Sequence, residues 1–223
     1  MSGQVSDRRV RRLRRYWDKH ASTYDEQIAV WERRLFPDGR HWVCTQATGE
    51  VLEVAIGSGR NLRYYPADVR LTGIDLSPEM LALARRQAGQ LGRQIDLRLG
   101  DAQDLDLPDA SFDTVVCTLV LCGIPDERRA IAEMWRVLRP GGRLLLLDHI
   151  VGEPWWVRAL QWLMELYTRP FQDEYMRRRP LPHVKSQGFE IERHERSKLG
   201  VIEQLAARKP AVTRVRPSSE QAV

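Results

Sequence analysis

No stretch of this 223-residue chain reaches the roughly 18 uninterrupted apolar residues that a membrane-spanning helix needs. The first residues, MSGQVSDRRVRRLRRYW, lack the apolar core of a secretory leader, so the expected address is cytoplasmic. Cysteine is scarce. Cys44, Cys117 and Cys122 are odd in number with no paired spacing, and the five histidines are scattered, so neither a disulfide framework nor a metal site is expected. Lysine is rare as well: arginine supplies nearly all the positive charge behind a formal net charge of +5. That balance fits the arginine bias of a GC-rich genome first, and an anionic partner or membrane surface second. What is present, 43% hydrophobic and 29% charged residues, is the composition of one globular domain with a substantial core.

Pattern divides the chain. In SDRRVRRLRRYWDKHASTYDEQIAVWERRLF, Val10, Leu13 and Trp17 recur at helical spacing between arginines, which predicts an amphipathic helix followed by a second short one. Residues 1–44 are therefore expected to form an N-terminal helical lid. From residue 50 to about 150, strand-like runs (EVLEVAI, RLTGID, QIDLRLG, FDTVVCTLVL, GRLLLLDHI) alternate with helical segments, the pattern of crossover units on a parallel sheet. One helix opens with Ser77 as cap and Pro78 at its first position; another carries Ile131, Met134, Trp135 and Leu138 on one stripe and stops before Pro140. The domain proper is placed at 45–209, with an aromatic insertion at 153–187. GFEIERHERSKLGVIEQLAARKP reads as two strands able to pair antiparallel, and 210–223 as a disordered tail.

VLEVAIGSGRNL ends a strand in Gly57 and Gly59. Backbone without Cβ lets N–H groups approach a ligand closely, and a nucleotide-like cofactor is the expectation. A dinucleotide fingerprint wants a third glycine, and Arg60, Asn61 and Leu62 follow instead, which disfavours a nicotinamide-dependent oxidoreductase. Glu53, Asp75 and Asp101 each end a successive strand and so line the carboxyl edge of the sheet, where open α/β sheets bind ligands.

Together with LTGIDLSPEMLALAR, GDAQDLDLPDASFDTVVCTLVL and RVLRPGGRLLLLDH, this stretch resembles the successive motifs of class I S-adenosylmethionine-dependent methyltransferases, nearest the small-molecule branch of ubiquinone and menaquinone methyltransferases. The resemblance covers about residues 45–152. It implies a Rossmann-like fold with a mostly parallel seven-stranded sheet, a terminal antiparallel strand pair, and S-adenosylmethionine as cofactor, leaving as S-adenosylhomocysteine. By the same resemblance, Ala55, Gly57 and Gly59 would face the methionine moiety and Glu53 would anchor its amino group. Asp75 would hold the ribose; Leu76, Asp101 and Ala102 would receive the adenine, and Thr118 and Leu119 would border the sulfonium. Tyr16 and Tyr24 resemble lid tyrosines, Tyr16 toward the cofactor and Tyr24 toward the reaction. The chain departs from the family at Ala55, where a glycine is usual.

Methyl transfer from a sulfonium asks chiefly for positioning, because the cofactor carries the activation. An acceptor with a proton to lose would need a base, and His149 at the end of the fifth strand is the best placed, with Asp148 a weaker candidate. PWWVRALQWLMELY is apolar apart from a narrow stripe of Arg158, Gln161, Glu165 and Arg169, so as a helix it is expected to be mostly buried or to line an apolar pocket for a small hydrophobic acceptor. VVCTLVLCGIPDERRAIAEMWRVLRPGG is similar to the matching stretch of animal membrane-associated thiol methyltransferases, which makes a thiol worth testing. The arginine-rich start reads as a solvated face, with peripheral membrane contact as its other use. A nucleic-acid methyltransferase is the weaker alternative, since TLVLCGIP holds no base-clamping motif and no basic, aromatic stripe is present. A non-catalytic cofactor-binding partner is the other.

Overall fold

A computed structural model describes residues 2–172 and 174–211. Residues 212–223, most of the expected tail, lie outside them. The elements run α1 (Ser2–Leu35), α2 (Gly39–Cys44), β1 (Glu50–Val54), β2 (Arg70–Asp75), α3 (Pro78–Gln90), β3 (Asp96–Leu99), β4 (Phe112–Thr118), α4 (Glu127–Val137), β5 (Leu138–His149), α5 (Trp155–Gln172), α6 (Pro180–Ser186), β6 (Glu190–Arg196) and β7 (Ile202–Arg208). The seven strands form one sheet in the order β3-β2-β1-β4-β5-β7-β6. All neighbours from β3 to β5 are parallel, and β7 pairs antiparallel with both β5 and β6. This is the Rossmann-like class I methyltransferase fold, with the strand pair where the sequence places it.

Burial on both faces explains the near-continuous apolar strands. Leu52 and Val54 of β1, Val115 of β4 and Leu144 and Leu146 of β5 enter one core with α4, while Val51, Val116, Leu145 and Leu147 enter the other with α2 and α3. Alternate residues of a strand point to opposite faces, so both cores are written into the same strands. The helix caps follow the sequence too. Ser77 Oγ accepts from the Met80 N–H with Pro78 at the first helical position, and the Asp126 carboxylate accepts from Arg129 N–H to open α4.

Two expectations are corrected. Residues 2–35 form one helix of 34 residues instead of two. The helix continues without a break because its apolar side, from Val10 to Leu35, has a continuous cavity wall to cover. The second correction concerns α5, which lines the apolar cavity as expected through Trp156, Leu160 and Met164 but is not mostly buried: of its polar stripe Gln161 and Glu165 turn inward, while Arg158 and Arg169 stay exposed. Val157, Gln161, Glu165 and Thr168 face the body, whereas Trp162, Leu163 and Leu166 are at least half exposed. Gln161 accepts from Gly152 N–H and donates to the carbonyls of Ile150 and Met176; Glu165 accepts from the N–H and the guanidinium of Arg177. Gln161 and Glu165 face inward because the segments on either side of the helix present backbone groups that need partners once buried.

Candidate active site

A single cavity of about 560 Å³ runs along the carboxyl ends of β1, β2, β3 and β4 and is roofed by α1 and α5. Its floor begins at the loop after β1. Gly57 has φ +58, and a Cβ there would meet nothing within 4 Å, so its backbone is open to the cavity. Gly59 does different work: at φ +84, a Cβ would come 3.1 Å from the Ala84 Cα, so it lets α3 pack closely and does not line the cavity. Ala55 sits at φ +53, the left-handed region that favours glycine. The alanine keeps that backbone turn at the cost of some strain.

Asp75 ends β2 nearly buried. One carboxylate oxygen accepts from the Gly57 N–H at 2.8 Å and the other from the Ser77 N–H at 2.9 Å, so the side chain ties the glycine loop to the start of α3 while facing the cavity. Burial pushes its pKa up to about 6, against the pull of those backbone donors. Asp101, past β3, accepts from the backbone N–H and the side-chain amide of Gln103, and Gln103 Oε1 accepts from Asp126 N–H at 2.9 Å. Leu76, Ala102 and Leu119 also line the cavity.

Glu53, Thr118 and Tyr16 do not. Glu53 is buried beneath the loop, accepting from Asn61 Nδ2 at 2.7 Å, and burial lifts its pKa to about 7. Thr118 Oγ1 accepts from Asn61 and Arg40 in the same network. Tyr16 stacks on His20, with ring centroids 4.1 Å apart, while Trp17 and Tyr24 reach the cavity. Tyr24 is held above its ordinary pKa by burial, with the Arg40 charge opposing, so at neutral pH it is a hydrogen-bond donor and not a base.

The residues that fasten α1 to the loops beneath it were not read from the sequence. Asp18 accepts from Ser77 Oγ at 2.6 Å and Asp25 from Ser58 Oγ at 2.6 Å. Glu32 pairs with Arg40 and Arg60, both at 2.6 Å. These three acids are spaced seven apart, which returns each to nearly the same face of a helix. That spacing is a signal the sequence carries. Gln103, which holds Asp101, has no such signature.

At the far end, His149 faces the cavity from the end of β5. Its Nε2 lies 3.5 Å from Glu174 Oε1 and makes no hydrogen bond. Burial lowers the pKa of His149 to about 4 and raises that of Glu174. Asp148, pushed up to about 7 by burial, accepts from the His149 N–H at 2.8 Å and steadies the strand end. Glu174 arrives because the segment after α5 returns beside the loop after β4. Tyr175 N–H donates to Cys122 O at 2.9 Å, and Arg178 donates to the carbonyls of Leu121 and Ile124. With Cys122 Sγ, donor atoms of His149 and Glu174 lie within 4.8 Å of one another. These are donor types that a divalent metal ion accepts, from residues whose sequence spacing shows no pattern.

Residues 52–146 match the family model described as a methyltransferase domain. These residues, under half of the chain, carry a methyltransferase domain. The chain is 44% identical over 107 residues to a phosphatidylethanolamine N-methyltransferase of Cereibacter sphaeroides (47% of this chain, 53% of that one). It is 34% identical over 135 residues to the human thiol S-methyltransferase TMT1A (58% and 54%). To a demethylmenaquinone methyltransferase of Deinococcus radiodurans it is 46% identical over 101 residues (44% and 42%). The chain thus spans about half the length of the curated relatives it matches. A solved Thermotoga maritima S-adenosylmethionine-dependent methyltransferase, described as a possible histamine N-methyltransferase, shares the fold at TM-score 0.66 and 20% identity, over 87% of this chain and 99% of that one. The cofactor of the methyltransferase domain is S-adenosylmethionine. The site fits it: an open glycine backbone, a buried carboxylate at the end of β2 and a half-buried one past β3 line one cavity in that order.

Proposed function

We propose that the protein transfers a methyl group from S-adenosylmethionine to a small hydrophobic molecule whose nucleophilic atom carries a proton, a thiol or a phenolic hydroxyl before an amine. The observation that carries this reading is the continuity of one cavity from Gly57, Asp75 and Asp101 to His149, under a roof of apolar side chains from two helices. Asp75 and Asp101 would accept hydrogen bonds from ribose hydroxyls and the adenine amine, and Leu76 would pack on the base. Bound in this way, the cofactor supplies an activated methyl group.

The chain's own part is to place the acceptor, exclude water and take a proton. His149 lines the cavity, is neutral at pH 7 and has no hydrogen bond at Nε2, so it is able to receive that proton. The burial that keeps it neutral also makes an imidazolium costly. The Glu174 carboxylate 3.5 Å away offsets this as the charge forms. No metal ion is needed for these roles. A nucleic-acid acceptor is disfavoured by the same roof, which presents Trp17, Ile28, Trp156 and Leu160 where a strand would need cations.

The test offers thiols, phenols and quinols, amines and phospholipids to purified protein with methyl-labelled cofactor, while calorimetry follows S-adenosylhomocysteine binding. Label should move to one hydrophobic class. His149→Ala should lower kcat by about 100-fold, and Glu174→Gln by less, with product-cofactor affinity unchanged. Binding without transfer to any acceptor identifies a non-catalytic cofactor partner, and absence of binding overturns the reading.

A further inference from the structure

The outward face of α5 holds Trp155, Trp162, Leu163, Leu166 and Tyr167, each at least half exposed, in a helix whose only acid among residues 155–169, Glu165, is turned inward and paired with Arg177. The charges left on its exposed surface are Arg158 and Arg169. An aromatic and aliphatic face edged by arginines and free of exposed acids is the chemistry of a helix lying in the headgroup region of a bilayer. Scattered single apolar residues need no such explanation, but a contiguous face does.

Two further observations fit that surface. The start of α1 presents six arginines and no acid between residues 8 and 15, and it meets the segment just after α5 at Tyr175. Arg9 donates to the Tyr175 hydroxyl, and Arg169 lies over the same ring at 5.0 Å. The basic segment therefore borders the apolar face, which is charge complementarity to anionic headgroups. The face is also continuous with the cavity mouth. Trp31, Leu35, Trp156, Leu160, Met164 and Leu199 line the cavity and are at the same time exposed. Among the described residues no helix is long and apolar enough to cross a membrane, so contact through this face is peripheral.

We propose that the exposed face of α5, flanked by the arginines at the start of α1, docks on an anionic phospholipid bilayer and that the cavity mouth opens into that surface. The docking face stands on exposure and charge. Delivery of a hydrophobic acceptor through the mouth rests on the methyl-transfer reading.

The experiment is co-sedimentation of the whole chain with vesicles of phosphatidylcholine alone and of phosphatidylcholine mixed equally with phosphatidylglycerol. The protein should partition onto the mixed vesicles, release as salt is raised, and bind the neutral ones at least about tenfold more weakly. A Trp162→Ser/Leu166→Ser double variant, altered only at exposed positions outside the cavity, should lose about tenfold or more of that binding. S-adenosylhomocysteine binding on the same samples reports folding and the site, so it separates failure of docking from failure of the methyltransferase reading. No partition onto mixed vesicles, equal partition onto neutral ones, or an unaffected double variant overturns the proposal. So does a dimer in sedimentation velocity that the double variant dissolves, because it would assign the face to a second copy of the chain.

Discussion

α1 and α5 both roof the cavity, yet they are built in opposite senses. α1 turns apolar residues such as Leu13 inward and sends Asp18, Asp25 and Glu32 to the loops that hold the cofactor edge. α5 buries Gln161, Glu165 and Thr168 and leaves its tryptophans and leucines outside. Amphipathicity defines two faces of a helix but does not say which is inside. What decides is the neighbour: α1 crosses an apolar hollow rimmed by serines and arginines, whereas α5 lies along segments with backbone groups to satisfy.

The largest effect that would break this contrast is at the latch that holds the end of α1. Glu32→Ala leaves Arg40, nearly buried, without its carboxylate and should cost about 3–5 kcal/mol in urea unfolding, because an uncompensated buried charge remains. A loss below about 1 kcal/mol would mean the latch contributes little. The same substitution on the two helices sharpens the comparison. Leu13→Ala should destabilise by about 2–4 kcal/mol, and Leu163→Ala, at 59% exposure, by no more than about 0.5 kcal/mol. Equal costs would refute the inverted packing of α5.

A third test separates the ends of the cavity. Asp75→Ala, on the side α1 fastens, should weaken S-adenosylhomocysteine binding by roughly 1–3 kcal/mol in calorimetry. Trp156→Ala, on the side α5 roofs, should leave that affinity within a factor of about two while raising KM for a hydrophobic acceptor. The smallest effect is a slope with pH. Asp148 and Glu53 are raised to about 7 and Asp75 to about 6, so the folded chain holds protons that the unfolded chain releases near pH 4. Their stabilisation is full below pH 4 and is lost as pH rises toward 7. His149, lowered to about 4, acts in the opposite sense between about pH 4 and 6.5. Three groups outweigh one, and stability should fall from about pH 5 to 7. Asp148→Asn should reduce that slope by up to about 1.4 kcal/mol per pH unit, measured by urea midpoints across the range. A slope unchanged by the substitution would remove Asp148 from the account.

Much of the cavity floor was legible because each part of it is local. Gly57, Asp75 and Asp101 sit at strand ends that follow directly from alternating apolar runs, and the sheet delivers them to one edge. Glu53 belongs to the same pattern and yet turns away, since Asn61 lies beneath the loop to receive it. That meeting depends on the short turn at residues 60–63, whose direction no periodicity encodes.

By itself the sequence determined the succession of strands and helices, the cap of α3, and the glycine and acids at the strand ends, because strand alternation, capping and turn chemistry act over a few residues. Only the tertiary structure decided which face of α5 is inside, which lid tyrosine reaches the cavity, and that Glu174 comes to His149. Each of these depends on burial against segments far away in the chain, where the cost of an unpaired buried group or an uncovered apolar wall selects among arrangements that local pattern leaves equal.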